Sequence, residues 1–347
     1  MAKKVRVGIV GTGGIARSHI KSLQAVDGVE IVAACDVNET VLKAAAETYG
    51  IPKTFTSYRD LVALKEIDAV SVCTPNFFHK EPTVAALKSG KHVIVEKPMS
   101  MTVKESEAMV AAAKEANRVL VIGFQFRYSS QAQMIKRAID EGILGNILYA
   151  RCQALRRRGI PNWGVFGQKK LQGGGPMIDI GVHIIEVAHY LMGSPQPVAV
   201  TGACYTYLGD KPSQVKSQWP NWDYKTYTVE DLAVGLIRFD NGATLSIESS
   251  FAAHIEKGIF NFTLMGDKGG ACFDPPMIFK DEAGTMFNLS PDFVGDEVAF
   301  DEKILDFIAA VRGEKKPTAP GEHGLIVQKI LEGVYKSSET GKEVRIK

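Results

Sequence analysis

Residues 11–16 read Gly11-Thr12-Gly13-Gly14-Ile15-Ala16, and no other run constrains this chain as tightly. The run follows directly on the apolar, β-branched stretch Val5–Val10 and opens a helical stretch over 16–26. Glycines in that setting have distinct physical tasks. Gly11 permits a tight turn, and Gly13 lets the backbone approach a pyrophosphate. Ala16 is small enough for the helix to lie close on the strand. The helix start then presents unbonded amides to phosphate, with Thr12, Gly14 and Ile15 completing the loop. Asp36 stands 20 residues past Ala16, at the end of the second apolar run Val29–Cys35. A carboxylate there accepts from ribose hydroxyls and repels a 2′-phosphate, and neither Val37 nor Asn38 can neutralise that phosphate. The cofactor expected is NAD rather than NADP.

The first 124 residues keep alternating. Apolar runs at 69–73, His92–Val95 and 119–123 are separated by helical stretches at 81–89 and 103–117, with Glu39–Tyr49 earlier. Strands joined through helices of that length imply right-handed crossovers and a parallel sheet. The texture then changes. Helices are expected at 130–141 and, after the glycine triplet 173–175, at 178–191. Long strand-like runs follow at 198–207, 231–239, 243–251 and 259–265, and Asp240-Asn241-Gly242 joins two of them as a hairpin. Helices at 302–312 and 324–340 would cover one side of either domain. The fold expected is α/β: an N-terminal Rossmann dinucleotide-binding domain over 1–124, then a C-terminal α+β domain over 125–347 with an open, mainly antiparallel sheet.

Composition closes off other classes. With 45% hydrophobic and 23% charged residues the chain is not disordered. Forty-one basic against 39 acidic residues give a net charge of +2, so neither nucleic acid nor a membrane surface is an expected partner. No apolar run approaches the roughly 20 residues of a membrane span. The N-terminus has no secretory pattern, and five scattered cysteines without metal or redox spacing read as reduced thiols in a cytoplasmic protein.

Two segments carry candidate chemistry. In Val95-Glu96-Lys97-Pro98 the lysine falls at the carboxyl end of a parallel strand, the edge where ligands bind in open α/β sheets. It can donate to a substrate hydroxyl, or serve only as a solvated lysine or a partner of Glu96. In 173–183 the pair Asp179 and His183 is spaced four apart, on one face of a helix. Histidine is a natural proton acceptor near neutrality and a carboxylate can orient it. The bland alternative is a capping aspartate with a core histidine. Glu186 falls on the same face and His189 points elsewhere, so a metal site there would have one imidazole, and no metal is expected.

In order and spacing, the glycine turn with Asp36, Thr74-Pro75-Asn76 with His79, Glu96-Lys97-Pro98, the Asp179–His183 helix and the tail 337–344 resemble the Gfo/Idh/MocA family of nicotinamide-dependent oxidoreductases. That family includes inositol dehydrogenases and glucose–fructose oxidoreductase. The resemblance runs over most of the chain and implies an NAD-dependent enzyme acting on a secondary alcohol of a sugar or cyclic polyol. It implies cofactor contacts from the glycine turn, Asp36, Thr74, Pro75, Asn76, His79, Glu96 and Lys97, and a substrate site lined by Lys97, Asp179 and His183. Arg127 and Tyr128 match a place where the family often has a contacting arginine. Glu186 departs from the aspartate common there. The second domain often forms oligomer contacts, so a homodimer or homotetramer is expected.

The residue types then suggest His183 as general base, Lys97 as the group that polarises the oxygen and Asp179 as the orienting carboxylate, with the first two roles exchangeable. Specificity is expected from the loop Arg156-Arg157-Arg158-Gly159-Ile160-Pro161-Asn162-Trp163, where Trp163 would contact substrate and the arginines could meet a sugar phosphate or simply be solvated. The segment 208–228, with Trp219, Trp222, Tyr224 and Tyr227, suits either a sugar ring or a loop anchor. Two other functions compete: an NAD-dependent glycosidase, and a non-catalytic NAD sensor, which would be expected to lack Lys97 or His183.

Overall fold

Strand β1 (Val5–Val10) lies at the centre of a parallel sheet, flanked on one side by β2 (Val29–Cys35) and β3 (Lys53–Phe55). On the other side lie β4 (Ala69–Val72), β5 (His92–Val95) and β6 (Leu120–Ile122). In this computed structural model residues 4–296 and 298–346 are described. Strands β1, β4, β5 and β6 are almost wholly buried, as their unbroken apolar runs require of a sheet covered on both faces. Helices α1 (Gly14–Gln24), α2 (Glu39–Tyr49), α3 (Tyr58–Val62), α4 (Lys80–Lys88) and α5 (Val103–Glu115) make the crossovers. The strand order reverses direction between β1 and β4, and the carboxyl ends there form the crevice of a doubly wound sheet. Gly11, Asp36, Thr74 and Lys97 all follow strand ends on that edge. The sequence pattern shows neither β3 nor α3, because both are too short to display a period.

The second region starts with helix α6 (Ser130–Asp140). Among the described residues its sheet has nine strands, in the order β14-β13-β12-β11-β7-β10-β9-β8-β15. These are β7 (Ile147–Leu155), β8 (Pro197–Tyr205), β9 (Leu232–Phe239), β10 (Thr244–Ser250), β11 (Ile259–Gly266), β12 (Gly269–Cys272), β13 (Met277–Glu282), β14 (Thr285–Leu289) and β15 (Val344–Arg345). All neighbours pair antiparallel except β7 with β10. The hairpin expected at Asp240-Asn241-Gly242 joins β9 to β10, with Gly242 in the left-handed region at φ +85°. Strand β7 is central yet unforeseen: its buried face is Ala150, Cys152 and Ala154, small residues that do not read as a strand. The short helix α7 (Lys169–Gln172) precedes the glycine triplet. Helix α8 (Val182–Leu191) packs on β7 and β11, covering one face of the sheet. The opposite face, with Tyr149, Arg151, Leu236 and Met265, stays half-exposed or exposed.

The division of the chain differs from a single cut after residue 124. Helix α9 (Ala299–Arg312) belongs to the first unit, where it packs on α1, and α10 (Gly321–Thr340) begins there as well. The first unit holds the described residues up to Gln125 with Val298–Leu325. The second holds Phe126 to Asp296 and those from Ile326 onward. No local pattern announces such a return, since it is driven by the apolar face of α9 finding its complement some 280 residues back. No helix is long and apolar enough to cross a membrane among the described residues.

Candidate active site

In the first unit the glycine loop is built as its sequence requires. Gly11 has φ +87°, and a Cβ on it would lie 2.8 Å from the Cys73 carbonyl carbon, so only glycine fits. A Cβ on Gly13 would meet nothing within 4 Å, which leaves that side of the loop open to a ligand. Helix α1 starts with no side-chain cap and no acidic residue in its first turn, so its amides face outward toward an anion. Asp36 is anchored to the loop: its Oδ2 accepts from the Thr12 amide at 2.8 Å and hydroxyl at 3.1 Å, and its Oδ1 from the Asn38 amide at 2.9 Å. Beside it Val37 is 88% exposed and apolar, and Asn38 caps α2. A pyrophosphate at the helix start and ribose hydroxyls at Asp36 match this donor and acceptor set.

After β4, Thr74 is half-buried, Pro75 exposed and Asn76 buried. His79 is buried, with Nδ1 2.8 Å from the Pro98 carbonyl and Nε2 2.8 Å from the Thr74 carbonyl. Burial pushes its pKa down. A neutral imidazole carries one N–H, so His79 donates to one of these two carbonyls and sits between the loops that bear them. Glu96 is buried as well and has protein partners. Its Oε1 meets Lys303 Nζ and His19 Nε2, each at 2.8 Å, and His19 Nδ1 meets Ser71 Oγ at 2.8 Å. Burial alone would raise the Glu96 carboxyl, but Lys303 and His19 hold it well below its ordinary range. Gly123 makes room for it, since a Cβ there would stand 2.5 Å from Oε1. The Lys97 amide donates to Glu96 Oε2 at 3.3 Å, and half-buried Lys97 itself leads into a cis peptide to Pro98. Lys303 was not foreseen, although a lysine between Ala299, Ile304 and Phe307 on one helix stripe is a signal in itself. A groove of about 490 Å³ lined by Lys114, Arg118 and Lys316 opens beside the start of β6, the sheet edge opposite the glycine loop.

In the second unit the helix expected at 178–191 is not uniform. Met177–Gly181 forms a widened π turn, closed by the Val182 amide on the Met177 carbonyl, and α8 follows. A widened turn advances the face by a residue, so the spacing of four between Asp179 and His183 does not by itself align them. Asp179 is half-buried and His183 is 8% exposed, edge-on to the Phe126 ring at 5.1 Å. Arg127, expected at the substrate, is fully buried: its Nε donates to Glu186 Oε2 at 2.7 Å and its guanidinium lies over Tyr190. Its neighbour Tyr128 is buried too. Burial pushes the Glu186 carboxyl up to about 7, with Arg127 opposing. The arginine run is engaged by its own loop. Arg156 donates to the Gly159 carbonyl and lies over Trp219 and Phe251, Arg157 donates to the Glu256 carbonyl, and Arg158 to those of Arg157 and Ala253. Trp163 stays exposed and packs edge-on against Trp219 at 4.7 Å.

Comparison with known proteins now adds to this geometry. Residues 5–124 match the oxidoreductase family's NAD-binding Rossmann fold, and residues 136–346 match its C-terminal alpha/beta domain. The chain belongs to the Gfo/Idh/MocA oxidoreductase family. It is 37% identical over 344 residues to D-glucoside 3-dehydrogenase of Escherichia coli (strain K12), covering 99% of this chain and 97% of that protein. It is 34% identical to glucose-6-phosphate 3-dehydrogenase of Bacillus subtilis (strain 168), covering 98% of each. A solved levoglucosan dehydrogenase in complex with NADH superposes with a TM-score of 0.86 at 25% identity, covering 99% of this chain and all of that one. As a member of this family the chain is an oxidoreductase with an NAD-binding domain, and its two-part fold is the one its sequence pattern implies.

Proposed function

We propose that this protein is an NAD-dependent dehydrogenase that oxidises a secondary alcohol of a sugar or cyclic polyol. The observation that carries the reading is the position of Lys97, two residues beyond β5 on the same sheet edge as the glycine loop anchored by Asp36. When bound, NAD⁺ supplies a nicotinamide that accepts hydride. The glycine turn and the α1 start bind the pyrophosphate, and Asp36 takes the ribose hydroxyls and disfavours a 2′-phosphate. Lys97 donates to the substrate oxygen and stabilises charge developing on it, His183 accepts the hydroxyl proton, and Asp179 orients the imidazole or holds a neighbouring hydroxyl. Thr74, Pro75 and Asn76 line the cofactor's sheet edge, while His79 and Glu96 hold its shape. Trp163 offers an aromatic face to the sugar.

The similarity to D-glucoside 3-dehydrogenase supports a pyranose substrate. Carbonyl and ring contacts to Arg156, Arg157 and Arg158 support a neutral sugar over a phosphorylated one. Five free cysteines, four of them buried, agree with a reducing, cytoplasmic setting. The half-exposed sheet face of the second unit supports a homo-oligomer. The test is NADH absorbance with purified protein, NAD⁺ or NADP⁺, and a panel of methyl glucosides, anhydrosugars, inositols and glucose 6-phosphate. NADH formed from a neutral pyranose or cyclitol, with NAD⁺ preferred, is the expected result. Glycosidic bond cleavage without net NADH, or NAD⁺ binding without turnover of any panel member, would overturn the assignment.

A further inference from the structure

We propose that Glu230 and Tyr335 are positioning residues that set the backbone turn carrying Asp179, and so the relation of Asp179 to His183. The inference rests on the roles proposed above for those two residues. Glu230 lies two residues before the start of β9 and is 6% exposed. Its Oε2 accepts from the Gly175 amide at 2.9 Å. Its Oε1 accepts from the Met177 amide at 3.2 Å and from the Tyr335 hydroxyl, on α10, at 2.7 Å. Burial pushes the Glu230 carboxyl up, and the three converging donors oppose that shift and define its position closely.

The chain has been shaped to admit this contact. A Cβ on Gly174 would lie 2.0 Å from the Tyr335 hydroxyl, and one on Gly175 would lie 2.3 Å from the Glu230 carbonyl oxygen. Glycine at both positions is thus a requirement of the clamp. From Gly175 the restraint passes on, because its carbonyl accepts from the Ile178 amide at 3.1 Å and the Asp179 amide at 3.0 Å. Ser249 on β10 holds the intervening Pro176 carbonyl at 2.8 Å. A π turn is rarer and less well bonded than an α turn, so an external hold of this kind is what its persistence needs. The Glu230 main chain is itself tied, through its carbonyl, to the Tyr227 hydroxyl at 3.0 Å.

A carboxylate shifts an imidazole's proton affinity according to distance, and Arg156 is a further charged group that acts on Asp179. Loosening the turn must therefore alter the pH dependence of turnover as well as its rate, which a general loss of stability would not do. The experiment uses the full chain with NAD⁺ and methyl β-D-glucopyranoside as probe, comparing Tyr335→Phe and Glu230→Gln with Asp179→Asn and His183→Ala. The readouts are kcat, KM for NAD⁺, the pH midpoint of kcat, and Tm. Tyr335→Phe, which keeps the ring and removes one donor, is expected to fold and to lower kcat tenfold or more. It should displace the pH midpoint by at least half a unit and leave KM for NAD⁺ within twofold. Glu230→Gln should act in the same direction and more strongly, and if it fails to fold the phenylalanine variant decides alone. An unchanged kcat, or a lowered kcat without a displaced midpoint, overturns the proposal whatever happens to Tm. Should Asp179→Asn and His183→Ala retain turnover, or the unmodified chain turn over neither this glucoside nor any other member of the panel above, the functional reading itself fails and takes this inference with it. If those two variants are inactive while Tyr335→Phe behaves as the parent, the clamp alone is refuted.

Discussion

Lys303 Nζ lies 2.8 Å from Glu96 Oε1, joining helix α9 to the end of β5 across 207 residues, with the lysine fully buried and the carboxylate 6% exposed. His19 shares the same oxygen, so α1, β5 and α9 meet at one buried charge pair directly behind Lys97. Removing one member of a buried pair leaves the other desolvated and uncompensated, at a cost of about 3–5 kcal/mol. Lys303→Met should lower stability by that order, measured as a fall in the calorimetric Tm. A variant as stable as the parent would mean that Glu96 is held by His19 alone.

The second buried pair makes a prediction about pH. In the folded chain burial raises the Glu186 carboxyl to about 7 against Arg127, so between its ordinary value and 7 the folded state binds more protons than the unfolded one. Stability from this group is present at low pH and is lost as pH rises through that window. Glu186→Gln removes the slope. The Tm of the variant relative to the parent should therefore improve from pH 5 to pH 8. A gap that stays constant over that interval would show that Arg127 outweighs burial, because the group would then titrate below the interval.

Asp36 should decide the cofactor. Asp36→Ala removes the acceptor expected at the ribose and the anchor of Thr12, and hydrogen bonds to a charged group imply that KM for NAD⁺ rises about 10–100-fold. The ratio of kcat/KM for NADP⁺ to that for NAD⁺ should rise with it. Steady-state kinetics with both dinucleotides read this directly, and an unchanged ratio would exclude Asp36 from the ribose site.

Chemistry and binding should separate at Lys97 and His183. Loss of a positioned acid or base lowers turnover by roughly 10²–10⁴-fold, so Lys97→Ala and His183→Ala should each lose activity on that scale. NADH affinity of His183→Ala, read by quenching of intrinsic fluorescence, should match the parent. Weakened NADH binding with normal kcat would reassign His183 to the cofactor.

The nucleotide loop was legible because each of its demands is local. A strand end, a left-handed glycine, an uncapped helix start and an acid after the next strand sit within 26 residues, and each has its own residue signature. Lys97 was legible through its place after β5. The burial and the protein partners of Arg127, His79 and Glu96 were not, because the same residue types serve equally as ligand contacts and as buried ties. Asp179 and His183 were visible as a pair, but the π turn that sets their relation depends on Glu230, 55 residues from Gly175.

By itself, then, the sequence determined the parallel nucleotide-binding sheet, the change to an antiparallel sheet and the cofactor class, since periodicity, glycine conformation and charge at a strand end act over a few residues. The tertiary structure alone decided that α9 returns to the first unit, that small-faced β7 lies mid-sheet, and that Lys303, Glu230 and Tyr335 stand behind the residues proposed for chemistry. Those are contacts of buried side chains with partners 55 to 207 residues away, made to satisfy buried charge, and nothing in the neighbouring sequence specifies where a buried charge finds its partner.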